Sequence, residues 1–172
     1  MLAEGKPNSL GRTEEVVDEV VADRRKLRSL YACYRSDDEW VRLRVSSSLK
    51  RVFRDKPEWF SAWADRIIDE VAAIDQPSAQ WTAAQVLEEH AAALDEAQTA
   101  RAKRVVQGLL SSSDDWIVIN CAMSALGSWA DHDARLRKRL VPQLRTFSED
   151  RRKSIAGRAR KLLARLDGVA GS

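Results

Sequence analysis

The residues that could do chemistry are few and scattered. His90 and His132 stand 42 residues apart, with no cysteine or carboxylate grouping at metal-ligand spacing around either. Glu88-Glu89-His90 supplies one histidine where a zinc-protease helix needs two, four residues apart. Both histidines therefore read as solvated or capping residues. Ser46-Ser47-Ser48 and Ser111-Ser112-Ser113 are not set in the Gly-x-Ser-x-Gly elbow that activates a serine, and no glycine-rich phosphate loop occurs. Cys33 and Cys121 lie in unrelated contexts without a Cys-x-x-Cys pair, and read as reduced thiols packed against helix neighbours. No catalytic residue, metal site, cofactor or small-molecule substrate is expected, and the chain reads as a non-enzyme. An enzyme with an unrecognised site in a groove would need a cluster of perturbed carboxylates there.

Charge says more. Within Ala134–Leu166 there are twelve basic residues, opposed only by Glu149 and Asp150, for a net +10. Asp55–Thr99 holds ten acidic and two basic residues, net −8, in a chain that is +3 overall. Such polarity suits contact with an anionic surface at one end. Arg151, Arg158 and Arg165 recur every seven residues toward the C-terminus, with Lys161 beside them and Arg137 upstream. These five are the candidate residues for an anionic partner. A polar cap on the last helix is the plainer alternative, but a cap needs no single sign of charge. Of the six tryptophans, Trp40, Trp81 and Trp116 recur at corresponding positions. That recurrence favours packing between units, with room for one of the six to be an exposed anchor.

The elements that must position these residues show in the apolar spacing. Val41/Val45/Leu49, Ala79/Ala83/Leu87, Val118/Ala122/Leu126 and Ile155/Ala159/Leu163 each line one helix face, and their first members are 38, 39 and 37 residues apart. A second series, Leu30, Ile68, Val106 and Leu144, advances by 38 at every step. Each unit of 38 residues thus holds two amphipathic helices. The pairs are predicted over Thr13–Tyr34 with Asp38–Arg54, Trp59–Ile74 with Ser78–Leu94, Glu96–Leu110 with Asp114–Ala130, and Asp133–Thr146 with Asp150–Leu166. Between paired helices, Ser36-Asp37-Asp38, Gln76-Pro77-Ser78, Ser112-Ser113-Asp114-Asp115 and Ser148-Glu149-Asp150 each offer an oxygen to the free N–H groups of the next helix. A lone hairpin leaves an apolar face wet, and stacking the next one covers it. Seven glycines and four prolines are too few for an all-β chain.

The pattern resembles the HEAT repeat family. Asp38-Glu39-Trp40-Val41-Arg42 is similar to the Asp-x-x-Val-Arg start of a HEAT second helix; Asp115-Trp116-Ile117-Val118 and the exit Ala125-Leu126-Gly127 repeat part of it. Leu140-Val141-Pro142-Gln143-Leu144 resembles the proline-bearing first helix. The resemblance implies an Asp–Arg ladder between units. Here that ladder is interrupted, since Ile119 replaces the arginine and the second and fourth units lack the aspartate.

The expected fold is therefore all-α, a right-handed α-α superhelix: a short HEAT-like solenoid of about four helical hairpins over 13–166, with flexible segments at 1–12 and 167–172. Met1–Arg12 lacks the apolar stretch of a secretory signal and no apolar run approaches a membrane span, so a cytoplasmic protein is expected. The expected function is a protein-interaction or scaffold module whose partner is a protein with an acidic surface. Nucleic acid held by the basic last repeat, as in the HEAT-like alkylpurine DNA glycosylases, stands as the alternative.

Overall fold

Aspartates start most of the long helices. In the computed structural model, which describes residues 1–3 and 11–170 (side chains of 169 and 170 excepted), Asp38 accepts the Trp40 N–H at 2.8 Å and opens α3, Glu39–Asp55. Asp95 forms a reciprocal capping box with Gln98 ahead of α6, Glu96–Ser112. Asp115 takes the N–H groups of Ile117 and Val118 before α7, Trp116–Ala130, and Asp133 takes that of Leu136 before α8, Ala134–Ser148. α5, Pro77–Glu89, starts instead on a proline, whose fixed φ suits the first helical position. α9 spans Lys153–Ala170, past the predicted end at Leu166. Residues 4–10 and 171–172 of the expected flexible segments lie outside the described residues.

Two predicted helices are interrupted. Thr13–Tyr34 is divided into α1, Thr13–Ala22, and α2, Lys26–Ala32, with a 3₁₀ turn at Cys33–Arg35. The cause is Asp23, whose carboxylate accepts the backbone N–H of Arg25 and pairs with its guanidinium at 2.9 Å. That local alternative competes with the helical ladder. Trp59–Ile74 is replaced by 3₁₀ turns at Pro57–Trp59 and Ser61–Trp63, a single α turn (α4, Ala64–Arg66) and a π-helical segment, Ile67–Val71. Here Phe60 is buried edge-on against Phe53 while Trp63 turns to Tyr31. A regular helix cannot aim two closely spaced rings at those separate targets, and the backbone over- and underwinds instead.

The packing order follows the chain. α3 lies against α5, α5 against α7, and α7 against α9, with α1 covering the open side of α3. α6 and α8 back onto α7, and α8 onto α9. All the apolar ladder residues are buried except Leu163, which is half-exposed while Leu162 and Leu166 take the interior positions. Leu30, Ile68, Val106 and Leu144 are buried as well. The fold is all-α, with no strand among the described residues. Among them, no helix is long and apolar enough to cross a membrane.

Polar bridges run between successive units. Arg42 bonds Gln76, Lys50 donates to Gln85 at 3.0 Å, and Arg54 pairs with Glu89, tying α3 to α5. Gln85 donates to the Cys121 sulfur and Ser124 to Glu88, tying α5 to α7. On the other side of the stack Arg101 reaches Asp65 and Asp69, Lys103 reaches Asp133, and Gln107 meets Gln143. These bridges fix the register of one unit on the next with mixed amide, thiol and ionic chemistry.

Candidate functional site

The row of second helices ends in an open groove of about 770 Å³ between α7 and α9. Its α9 wall is Lys153, Ser154, Gly157, Arg158, Lys161, Leu162 and Arg165; its α7 wall is Trp116, Ile117, Asn120, Cys121 and Ser124, with Gln85 beyond. The wall carries four cations and no carboxylate. Lys153, Gly157 and Lys161 follow at i, i+4 and i+8, so the helix presents cation, gap and cation in one line. A Cβ placed on Gly157 would meet nothing within 4 Å, which leaves the middle of that line open.

Close approach of the two helices shapes the groove's far end. Gly127 is in contact with α9: a Cβ there would sit 2.7 Å from Leu162 Cδ2 and 3.1 Å from Arg165 Nη2. Only a residue without a side chain fits that crossing unless Leu162 shifts.

Each cation is held differently. Arg158 donates Nε to Asn120 Oδ1 at 3.0 Å, and Asn120 in turn donates to the Trp116 carbonyl at 2.7 Å. Arg165 pairs with Asp131 at 3.3 Å. Lys153 and Lys161 have no ion-pair partner among the described residues. Trp116, at the mouth of the groove, is 51% exposed, the most exposed large apolar side chain described. Recurrence in the repeat pointed to packing for Trp116, and the structure corrects that: Trp40 and Trp81 are half-buried, whereas Trp116 is exposed.

The predicted residues are thus partly brought together. Arg158, Lys161 and Arg165 line the groove. Arg151 is exposed ahead of α9 and does not line it. Arg137 lies on α8, where it donates to the carbonyls of Ala130 and Asp131 and so caps the end of α7. Arg152 and Arg160 are also committed, the first to Asp150 and the Asp114 carbonyl, the second to the Ser148 carbonyl. The seven-residue arginine period did not pick out Lys153; the i, i+4, i+8 line through Gly157 was the signal that could have.

Next to the groove, Glu88, Ser124, Asn120 and Arg158 border a smaller hollow. Burial pushes the Glu88 carboxyl up, while the Ser124 hydroxyl at 2.9 Å and the charges of Arg158 and Arg165 pull it down. Burial likewise raises the Cys121 thiol, which disfavours the reactive thiolate. Among the described residues, no group of three His, Cys, Asp or Glu side chains is placed to hold a metal ion. His90 occupies the C-cap position of α5 but is stacked on Phe60, ring centres 4.8 Å apart, rather than solvated.

No protein-family model, curated protein or solved structure matches the chain.

Proposed function

We propose that this protein is a non-catalytic interaction module, a HEAT-like stack whose α7–α9 groove receives an acidic segment of a partner protein. The observation that carries it is the lining: four cations and an exposed tryptophan on one surface, with Glu88 and Glu89 confined to the adjoining hollow. Lys153 and Lys161, free of partners among the described residues, supply charge that steers an acidic chain. Trp116 with the half-buried Ile117 supplies apolar area of the kind that concentrates binding energy. Arg158 and Arg165 are preorganised by Asn120 and Asp131, so less side-chain freedom is lost when an acidic group docks.

The test is Lys153→Glu with Lys161→Glu, which leaves the Arg158 and Arg165 contacts intact. Titrated with a synthetic acidic peptide containing a leucine, this variant should bind at least about tenfold more weakly, the loss of one or two charge-assisted contacts. Its circular dichroism should match the wild type. Unchanged affinity would refute the proposal. Duplex DNA serves as competitor: tighter DNA binding than peptide binding, with the steep salt dependence of phosphate contacts, would replace the protein-partner reading by the nucleic-acid one.

A further inference from the structure

A second cationic site lies at the other end of the stack, assembled across the two interrupted segments. Arg24, Arg25, Arg28 and Arg66 surround a hollow of about 360 Å³ floored by Ala62 and Trp63, with no carboxylate in its lining. Arg28, Trp63 and Arg66 also border an adjoining chamber of about 630 Å³ that adds Tyr31, Tyr34, Arg35 and Glu70, so the two form one trough.

The guanidinium groups are presented for an anion. Arg24 lies over the Trp59 ring at 5.6 Å and Arg66 over the Trp63 ring at 5.0 Å. Such stacking uses the flat face of the guanidinium and leaves its in-plane N–H donors free. Arg25 is paired with Asp23, whereas Arg28 has no ion-pair partner among the described residues. Several forked donors around one hollow fit the tetrahedral oxygens of a phosphate better than a single carboxylate, which one arginine satisfies.

The second chamber calls for a flat, hydrogen-bonding group. Tyr31 stands 5.3 Å from Trp63 and 5.9 Å from Tyr34, forming an aromatic wall. At its edge, Glu70 accepts the Tyr31 hydroxyl at 2.5 Å on one oxygen, while its other oxygen is 3.9 Å from Arg66, too far for a hydrogen bond. That oxygen can accept from an amino group of a base, and the carboxylate repels a second acidic group. We infer that this trough binds a nucleoside phosphate, with the phosphate among Arg24, Arg28 and Arg66 and the base against Tyr31 within reach of Glu70. The same chemistry comes either from a free nucleotide or from one nucleotide of a single strand, where stacked bases and arginines act together. The site shares no residue with the α7–α9 groove, and neither proposal depends on the other.

Calorimetric titration of the full chain with AMP, adenosine, inorganic phosphate, O-phosphotyrosine and a single-stranded oligoadenylate tests it. AMP should bind at least about tenfold tighter than adenosine or phosphate alone, since each provides only part of the contacts. Arg24→Glu with Arg28→Glu, both exposed positions, should remove that binding. The milder Arg28→Gln should weaken it, and Lys153→Glu/Lys161→Glu should leave it unchanged. An oligoadenylate that outcompetes AMP and weakens steeply with salt identifies a strand as the source; equal or weaker binding identifies the free nucleotide. The inference is overturned if neither AMP nor the oligonucleotide binds at low salt, if AMP is no tighter than phosphate, if phosphotyrosine is tighter than AMP, or if Arg28→Gln binds like the wild type.

Discussion

At the C-terminal end of the stack, Lys153, Arg158, Lys161 and Arg165 all project from one uninterrupted helix. At the N-terminal end, Arg24, Arg28 and Arg66 are collected from the α1–α2 break, from α2 and from the short turn Ala64–Arg66. The tryptophans differ in the same way: Trp116 is 51% exposed in the open groove, while Trp63 is 7% exposed beneath Arg66. A regular helix turns sequence spacing directly into a row of side chains along one face, suited to a length of chain. Irregular backbone gathers residues from several segments around one point, an arrangement suited to a compact ligand. The two ends therefore place cations on opposite kinds of support.

If the irregular end is packed as tightly as the regular one, a deep truncation should be equally damaging at both. Phe60→Ala removes a fully buried ring set against Phe53 and His90, and should destabilise the fold by about 3–5 kcal/mol. Leu126→Ala, fully buried in α7, should cost about 2–5 kcal/mol. Urea denaturation measures both; a Phe60→Ala cost under about 1 kcal/mol would show the N-terminal end to be loosely packed, contrary to its burial. Next in size is Gly127→Leu, which drives a side chain into Leu162 and Arg165. It should cost about 1–3 kcal/mol and weaken groove binding by displacing Leu162 and the Arg165 guanidinium.

The smallest effect is one of pH, confined to the irregular end. Burial lowers the His90 pKa below its ordinary value, with Arg54 acting in the same direction and Glu89 against it. The folded chain thus favours neutral His90, and its contribution to stability is complete above about pH 6.5. As pH falls below that value the unfolded chain takes up the proton first, and stability declines until the lowered folded pKa is reached. Urea midpoints at pH 7.5 and pH 5.5 should therefore differ less in His90→Gln than in the wild type. An unchanged difference would place the pH dependence elsewhere.

What could be read from the amino acids alone follows the same division. The 38-residue advance of Leu30, Ile68, Val106 and Leu144 located the buried row, because each of those residues sits on a regular face or returns to it. Arg158, Lys161 and Arg165 were legible for the same reason: helical spacing places them together. Arg137 was not, since its charge matched the patch but its position opposite the α7 C-terminus gave it carbonyls to bond. The Arg24-Arg25-Lys26-Leu27-Arg28 run was on view, yet its meeting with Arg66 depends on where Asp23 stops a helix and how Phe60 and Trp63 bend the next. Trp116 could not be told from Trp40 and Trp81 by recurrence, because equal spacing does not say which ring a neighbour covers: Trp40 and Trp81 are half-buried, Trp116 is 51% exposed.

Tryptophan fluorescence of the wild type, Trp116→Phe and Lys153→Glu/Lys161→Glu, each titrated with the leucine-containing acidic peptide at low and moderate salt, goes to the centre of the account. A blue shift on binding is predicted for the wild type, weaker at higher salt, absent in Trp116→Phe and lost with affinity in the double lysine variant. A shift of the same size in Trp116→Phe, or affinity indifferent to both lysines, would mean that the α7–α9 groove is not where the partner binds.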